Sequence, residues 1–371
     1  MKKENKYIPT LLIAAIIFAV YFFSVITVEA DTYKAESIVS KANDLAVKDQ
    51  TKRIIKPKIL KVVQSASAKK LKSQSESFKV AAYFPSWREG HINKLDFSTI
   101  THVNYAFAIP TPEGKILKLE NPGLIKKIIK RAHEKNAGVL ISIGGWNYRD
   151  VKLCKIFEKA SSTEQKAKKF AGYIAAVTDK YGFDGVDIDW EYPTANDKGY
   201  ERLIKYLSVE MDKRGKLLTT ALPPMISSKA VSDKSLSLVD WVNVMAYDND
   251  IDKTHSSYAH AVESVKYWRD IRKLPHNKVV LGIPFYSRVY GCGFTYGYSY
   301  ESIVKANREN YLNDTAGYNG FTVNYNGYLT VADKTAYALE NAGGIMIWEI
   351  AHDTVDKETS LLSAIKKTVG Y

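Results

Sequence analysis

The chain has 371 residues, enough for one large domain or two ordinary ones, and its 46% hydrophobic and 25% charged residues form an ordinary globular balance. The net charge is +13, but no nucleic-acid-binding motif accompanies it. We therefore expect a solvated basic surface and no nucleic-acid partner. Two cysteines, Cys154 and Cys292, exclude a disulfide framework.

The amino terminus combines a basic start with a long apolar run. Residues 8–28 carry no charge and have about the length of a membrane-spanning helix, and lysines precede them. This charge pattern places the start of the chain in the cytoplasm and exports the rest. Residues 1–30 therefore predict a cleaved signal peptide, with a small-x-small site at 28–30, or an uncleaved membrane anchor. Either way, the rest of the chain is expected to be extracytoplasmic, secreted or membrane-anchored.

A basic stretch follows this segment. Residues 31–77 hold 11 Lys and Arg against 5 Asp and Glu, and they contain no Trp or Phe. Pro57 would interrupt a helix there. We interpret residues 31–77 as a basic linker to a single main domain at 78–371, with a small helical domain as the alternative.

From residue 78 onward, runs rich in β-branched or aromatic residues alternate with amphipathic stretches. Eight strands are predicted, at 78–84, 100–108, 137–145, 183–192, 216–223, 241–247, 278–286 and 343–350. Helices are predicted between most of them, for example at 122–136 and 162–182. This α/β alternation predicts a (β/α)8 TIM barrel. The alternative, a doubly wound sheet, usually has a glycine-rich turn after its first strand, whereas residues 85–87 are Pro-Ser-Trp.

Three carboxylates fall on one face of the fourth predicted strand. Side chains alternate along a strand, so Asp187, Asp189 and Glu191 point the same way, with successive members about 6.6 Å apart. Three apolar residues point to the other face, where helices would cover them: Val186, Ile188 and Trp190.

Buried carboxylates in a row repel each other, so at least one pKa should rise. A raised pKa suits an acid that protonates a leaving oxygen in glycoside cleavage, and Glu191 lies nearest the mouth. A divalent-cation site and a solvated acidic strand end are the alternatives.

This stretch resembles glycoside hydrolase family 18, the chitinases and their relatives. The acidic signature of that family, D-x-x-D-x-D-x-E on the fourth barrel strand, is matched by Asp184, Asp187, Asp189 and Glu191.

Further matches follow in the order that the family has them. Residues 142–145 (Ser-Ile-Gly-Gly) resemble its S-x-G-G motif, and residues 245–248 (Met-Ala-Tyr-Asp) resemble its M-x-Y-D motif. Trp348 closes the eighth predicted strand, where the family has a tryptophan under the sugar. Tyr83 and Phe107 fall at aromatic positions of the first two strands. The resemblance covers about residues 78–371.

The resemblance implies a substrate-assisted mechanism. Glu191 would protonate the glycosidic oxygen, and the 2-acetamido oxygen of the substrate would then attack the anomeric carbon to give an oxazolinium ion. Asp189 would orient the acetamido group, Asp187 would share a proton or hydrogen bond with Asp189, and Tyr247 would donate a hydrogen bond to the acetamido oxygen. Glu191 would finally act as the base on water, so the product would keep the β configuration.

The resemblance and the strand-end positions also imply residues that contact the substrate. These are Tyr83, Phe107, Trp146, Met245, Asp248, Tyr286, Arg288 and Trp348. Four motif residues are expected to be structural: Asp184, Ser142, Gly144 and Gly145. No cofactor and no metal ion are expected, because the histidines lack metal-ligand spacing. The expected partner is a polysaccharide, either chitin or a related N-acetylglucosamine polymer, bound by a monomer.

The chain departs from the family pattern in three places. Ser287 stands where glycine is common, and Asn249 follows Asp248 where an aromatic residue is usual. The stretch from Arg288 to Thr330 is short for the α+β insertion that deepens many clefts of the family. We therefore expect a shallower groove and cleavage within the polymer.

Other functions stay open at this point. One is an endo-β-N-acetylglucosaminidase that acts on peptidoglycan or N-glycans, although Trp190, Pro193 and the intact acidic row favour chitin-type chemistry. Another is a non-catalytic chitin-binding lectin, although such relatives usually lack the glutamate that Glu191 supplies. A passive wall-attached scaffold is the third alternative.

Overall fold

The computed structural model describes residues 78–249, 254–289 and 297–370. The predicted amino-terminal segment (1–30), the predicted linker (31–77) and Cys292 lie outside these residues. Within the described ranges, none of the helices has both the length and the apolar character of a membrane span.

Eight parallel strands close into a barrel. They are β1 (Lys79–Pro85), β2 (His102–Ala108), β3 (Gly138–Gly145), β4 (Gly185–Trp190), β5 (Leu217–Leu222), β6 (Trp241–Val244), β7 (Val279–Pro284) and β8 (Gly344–Trp348). Each strand pairs with the next in the chain, and β8 pairs with β1. The predicted TIM barrel is confirmed. The sixth strand ends three residues early, because the Ala246 amide turns back to the Val244 carbonyl.

Helices cover the outside of the barrel. They are α1 (Pro122–His133), α2 (Leu153–Ala160), α3 (Glu164–Tyr181), α4 (Gly199–Arg214), α5 (Asp233–Ser237), α6 (Tyr258–Lys266), α7 (Tyr300–Ala306), α8 (Tyr328–Asn341) and α9 (Leu361–Val369). A 3-10 segment, Ser86–Lys94, connects β1 to β2. The Thr163 side chain caps α3 by accepting a hydrogen bond from the Lys166 amide, and Gly182 ends α3 in a left-handed conformation at φ 79°.

Alternation along the strands divides the buried side chains into two layers. Val186, Ile188 and Trp190 of β4 pack outward in the core beneath the helices. There the Trp190 ring stacks on Phe157, with centroids 4.7 Å apart. A smaller apolar cluster fills the barrel interior around Tyr83. The carboxylates of β4 therefore face the interior, as the alternation predicted.

A small α+β unit lies between β7 and β8. Its three antiparallel strands are Arg288–Val289, Thr315–Tyr318 and Phe321–Asn324, and α7 precedes the second of them. The sequence predicted that this stretch would be short for such an insertion, and the structure forms a compact version of one. Arg288 lies on an edge strand of this sheet, so the unit also contributes a side chain to the mouth of the barrel.

Candidate active site

The strand β4 carries the three carboxylates from the barrel interior to its mouth. Asp187 is fully buried and Asp189 is 4% exposed, while Glu191 follows the last residue of the strand and is half-buried. The neighbouring strand approaches them closely at Gly144. A Cβ there would lie 2.0 Å from the Asp189 carbonyl oxygen, and the φ angle is 121°. Only glycine fits this position, which explains the first glycine of the double-glycine motif beside the carboxylates.

Asp187 forms the centre of a buried hydrogen-bond network. It accepts hydrogen bonds from Tyr83 Oη (2.6 Å), Ser142 Oγ (2.8 Å), Thr219 Oγ1 (2.7 Å) and Asn243 Nδ2 (3.1 Å). Burial still raises the pKa of Asp187, although these four donors act to lower it. Both carboxylate oxygens are occupied by protein donors. Asp187 is therefore a support beneath the cleft rather than a group that reaches the substrate.

Asp189 and Glu191 share a hydrogen bond with each other. Burial and the two neighbouring carboxylates raise the pKa of Asp189 well above its usual value. Burial also raises the pKa of Glu191, to about 7. The pair thus holds a proton near neutral pH. Asp189 Oδ1 is buried and has no hydrogen-bond partner among the described residues.

Two tyrosines flank this pair. The Tyr247 hydroxyl contacts the Met346 sulfur at 3.8 Å, and burial raises its pKa, so it stays protonated as a donor at neutral pH. The Tyr192 hydroxyl interacts with the Glu191 carboxylate and acts to lower the Glu191 pKa. Tyr192 was not predicted as a site residue, although its position directly after the glutamate was a usable signal.

Asp248 joins two other predicted contact residues. It accepts hydrogen bonds from Arg288 Nε at 2.7 Å and Tyr286 Oη at 2.8 Å, and His255 Nδ1 lies 3.1 Å away. Burial would raise the pKa of Asp248, but the hydrogen bonds and charges of His255 and Arg288 outweigh it and hold that pKa low. The guanidinium of Arg288 is therefore already neutralised where it lines the cleft.

Aromatic rings line the cleft above the carboxylates. Trp348 meets Tyr83 edge-on at 5.4 Å and stacks on Phe107 at 5.6 Å. On the rim, Trp146 is 50% exposed and its ring lies 6.1 Å from that of Tyr192. The cleft has a volume of about 1010 Å³, which is ample for several sugar rings.

The structure brings most of the predicted site residues to this one cleft. Those that line it are Glu191, Asp189, Tyr247, Tyr83, Phe107, Trp146, Met245, Asp248, Tyr286, Arg288, Trp348, Gly144 and Gly145. Asp187 and Ser142 lie beneath it. Asp184 lies at the opposite end of β4, where it accepts from the Val139 amide and pairs with His133, each at 2.8 Å.

Two members of the Asp187 network, Thr219 and Asn243, were not predicted. Alternation along their own strands points them into the barrel, beside the inward-facing Leu217 and Trp241. That pattern was a signal in the sequence. In the part of the chain that the structure describes, no group of three or more His, Cys, Asp or Glu side chains is arranged to hold a metal ion.

The model of the family described as glycosyl hydrolases family 18 matches residues 79–353, which is more than half of the chain. Probable chitinase 2 of Drosophila melanogaster is 27% identical over 351 residues, covering 74% of this chain and 70% of that protein. Chitinase A1 of Niallia circulans is 24% identical, and the match covers 75% of this chain and 57% of that protein. The chain in the crystal structure of the GH18 chitinase ChiB of Flavobacterium johnsoniae has 29% sequence identity to this chain, with a TM-score of 0.71. The match covers 79% of this chain and 94% of that one.

These matches confirm the resemblance that the acidic signature indicated, and they confirm the prediction of a glycosidase. The family model spans the barrel from β1 to just beyond β8 and therefore includes every residue of the cleft. The chain accordingly belongs to glycosyl hydrolases family 18 and is a chitinase-like glycoside hydrolase.

Proposed function

We propose that the protein is a retaining endo-chitinase that cleaves β-1,4-linked N-acetylglucosamine polymers with the help of the acetamido group of the substrate. One observation carries the proposal: Asp189 and Glu191 share a hydrogen bond below an aromatic-lined cleft, while Asp187 is occupied by four protein donors. This arrangement supplies a proton donor and an orienting carboxylate, and it leaves the nucleophile to the substrate.

The first step is proton transfer from Glu191 to the glycosidic oxygen. With a pKa of about 7, Glu191 is largely protonated below neutral pH and is a strong enough acid to protonate the leaving group. The bond from the anomeric carbon to that oxygen breaks, and its electrons stay with the oxygen. The leaving sugar departs as a neutral alcohol.

The acetamido oxygen forms the new bond to the anomeric carbon. The nitrogen of the resulting oxazolinium ion carries positive charge, which the Asp189 carboxylate stabilises, because the proton of the Asp189–Glu191 pair has left with the departing sugar. Tyr247 donates a hydrogen bond that fixes the acetamido oxygen. The Glu191 carboxylate then removes a proton from water, which attacks the anomeric carbon from the side that the leaving group vacated. The bond from that carbon to the acetamido oxygen breaks and its electrons return to the acetamido group, so the β configuration is retained.

An uncharged polymer suits the cleft better than one with carboxylates. Among the lysines and arginines of the described residues, only Lys118 and Arg288 line the cleft, and Arg288 is paired with Asp248. A lactyl carboxylate of a wall glycan would therefore find its most obvious partner already neutralised. This pairing favours chitin over peptidoglycan. The compact insertion between β7 and β8 supports cutting within the polymer.

We also propose that the enzyme acts outside the cytoplasm as a monomer, either secreted or anchored by residues 8–28. The basis is the uncharged run with preceding lysines. Mass spectrometry of the mature amino terminus distinguishes the two forms. A start near residue 31 means cleavage, and an intact residue 1 in the membrane fraction means an anchor.

Proton NMR of a chitin hexamer during the first minutes of digestion tests the proposed reaction. We expect early products in the β form from the wild type and none from Glu191→Gln. Products in the α form would contradict retention. If the wild type leaves the hexamer intact but cleaves peptidoglycan or an N-glycan, the chitin assignment is wrong, and binding without any cleavage would indicate a lectin.

A further inference from the structure

A row of aromatic rings leads outward from the carboxylates. Tyr83, which holds Asp187, meets Trp348 at 5.4 Å, and Trp348 stacks on Phe107 at 5.6 Å. Phe107 in turn lies 6.5 Å from Trp87. Trp87 is therefore the outermost ring of the row, and a polymer must extend away from the carboxylates to reach it.

The position of Trp87 is weakly fixed by its own packing. Its side chain is 63% exposed, and its nearest ring contact is the tilted one to Phe107. It lies on the 3-10 segment Ser86–Lys94, which has no side-chain cap at its amino end. Such a ring presents a useful sugar platform only if its backbone is held from elsewhere.

An ion pair links the sequence neighbours of Trp87 and Trp348, the two tryptophans of the row. Arg88, directly after Trp87, donates from Nε to Glu349 Oε1 at 3.0 Å, and Glu349 directly follows Trp348. The Glu349 side chain is only 3% exposed, whereas that of Arg88 is 33% exposed. The Ala351 amide donates to Glu349 Oε2 at 2.9 Å, so this carboxylate is fixed to its own backbone.

A second link holds the far end of the same segment. Lys94 Nζ donates to the Ala351 carbonyl at 2.7 Å and to Glu301 Oε2 at 2.8 Å. The Lys94 link restrains the last residue of the segment.

The end with Trp87 is restrained by Arg88 and by Glu89, which accepts a hydrogen bond from Asn121 Nδ2 at 2.6 Å. His352 joins the Arg88–Glu349 pair, because its Nε2 lies 2.9 Å from Glu349 Oε1 and 2.6 Å from Arg88 Nη2. The buried Glu349 carboxylate is the group on which both side chains converge, so its charge enforces one geometry.

We infer that the Arg88–Glu349 ion pair is a positioning device that sets Trp87 relative to Trp348 and thereby tunes the binding of long polymers. The inference rests on the proposed function, because it takes a sugar polymer as the occupant of the cleft. Neither Arg88 nor Glu349 lines the cleft, so both act through their neighbouring tryptophans.

The test compares a long and a short substrate in a double-mutant cycle. We expect Glu349→Gln to lower kcat/KM roughly tenfold on a chitin hexamer, mainly through KM, and to change it less than about twofold on an umbelliferyl chitobioside, which is too short to reach Trp87. In a Trp87→Ala background the effect of Glu349→Gln on the hexamer should vanish. Arg88→Lys should recover part of what Arg88→Met loses, because it restores the charge without the planar guanidinium.

Asp233→Asn is the matched control, because it breaks the Arg272–Asp233 pair (2.8 Å), whose residues do not line the cleft. It should leave the ratio of the two kcat/KM values unchanged. An equal loss on both substrates, or the same loss in the Trp87→Ala background, would show that the Arg88–Glu349 pair is merely structural. If Glu349→Gln gives no folded protein, Arg88→Lys and Arg88→Met provide the same comparison. Failure of the wild type on both substrates would contradict the proposed function itself.

Discussion

Tyr83 of β1 donates a 2.6 Å hydrogen bond to Asp187 of β4 across the barrel interior, although 104 positions of the chain separate them. The same ring supports Trp348, the aromatic floor of the cleft. One side chain thus connects the innermost carboxylate to the surface on which the proposed substrate rests.

Tyr83→Phe should keep the ring and remove one donor from Asp187. A hydrogen bond to a charged group contributes about 1.5–3 kcal/mol, so the free energy of unfolding should fall by that amount, and kcat should fall with it. Denaturant titration and steady-state kinetics measure the two effects. Tyr105→Phe is the control, because the buried Tyr105 hydroxyl has no partner among the described residues. Equal losses in both variants would contradict the role of the Asp187 network.

The activity should decline as the pH rises through about 7. Burial raises the pKa of Glu191 to about 7, and the proposed reaction requires this acid in its protonated form. Below that pH Glu191 keeps its proton, and above it kcat/KM should fall about tenfold for each pH unit. The pH dependence of kcat/KM on a soluble oligomer measures this decline. A rate that stays level up to pH 9 would exclude Glu191 as the proton donor.

Asp248→Asn should move the decline of kcat/KM to lower pH. Burial is the main cause of the raised Glu191 pKa, and the negative charge of Asp248 adds to it. Removal of the Asp248 charge lowers the pKa of Glu191, and the uncompensated positive charge of Arg288 lowers it further. Asp184→Asn removes a charge at the opposite end of β4 and should leave the midpoint in place. Identical midpoints in all three proteins would show that Asp248 does not act on Glu191.

Trp146 and Trp190 are separated by 44 positions, and their truncation should have different effects. One change should weaken substrate binding, and the other should destabilise the fold. Trp146→Ala should raise KM for a chitin hexamer while changing the free energy of unfolding by less than about 0.5 kcal/mol, because half of the ring is exposed. Trp190→Ala should lower that free energy by about 3–5 kcal/mol, because its ring is buried against Phe157. Thermal or denaturant unfolding and hexamer kinetics separate the two. A large loss of stability in Trp146→Ala would show that this ring packs in the fold, and it would contradict the role of Trp146 as a sugar-contacting residue.

Local patterns in the sequence were sufficient for the barrel and for the acidic row. Period-two alternation in β4 placed Asp187, Asp189 and Glu191 on the inward face, and the observed burial of Val186 on the other face agrees with it. The strand runs are equally local. These features depend on a few adjacent residues, so they can be identified without knowledge of any long-range contact. Sequence order also located the strand ends where the site residues cluster.

The tertiary structure alone decided how these residues are partnered. The four donors to Asp187 come from four other strands, and the closure of the barrel determines which of them face it. The neutralisation of Arg288 by Asp248 likewise depends on the compact unit after β7, and the Arg88–Glu349 pair joins segments 261 positions apart. Alternation fixes the face on which a side chain lies. Its partner depends on the register between distant strands and on the packing of the loops, which no local pattern encodes.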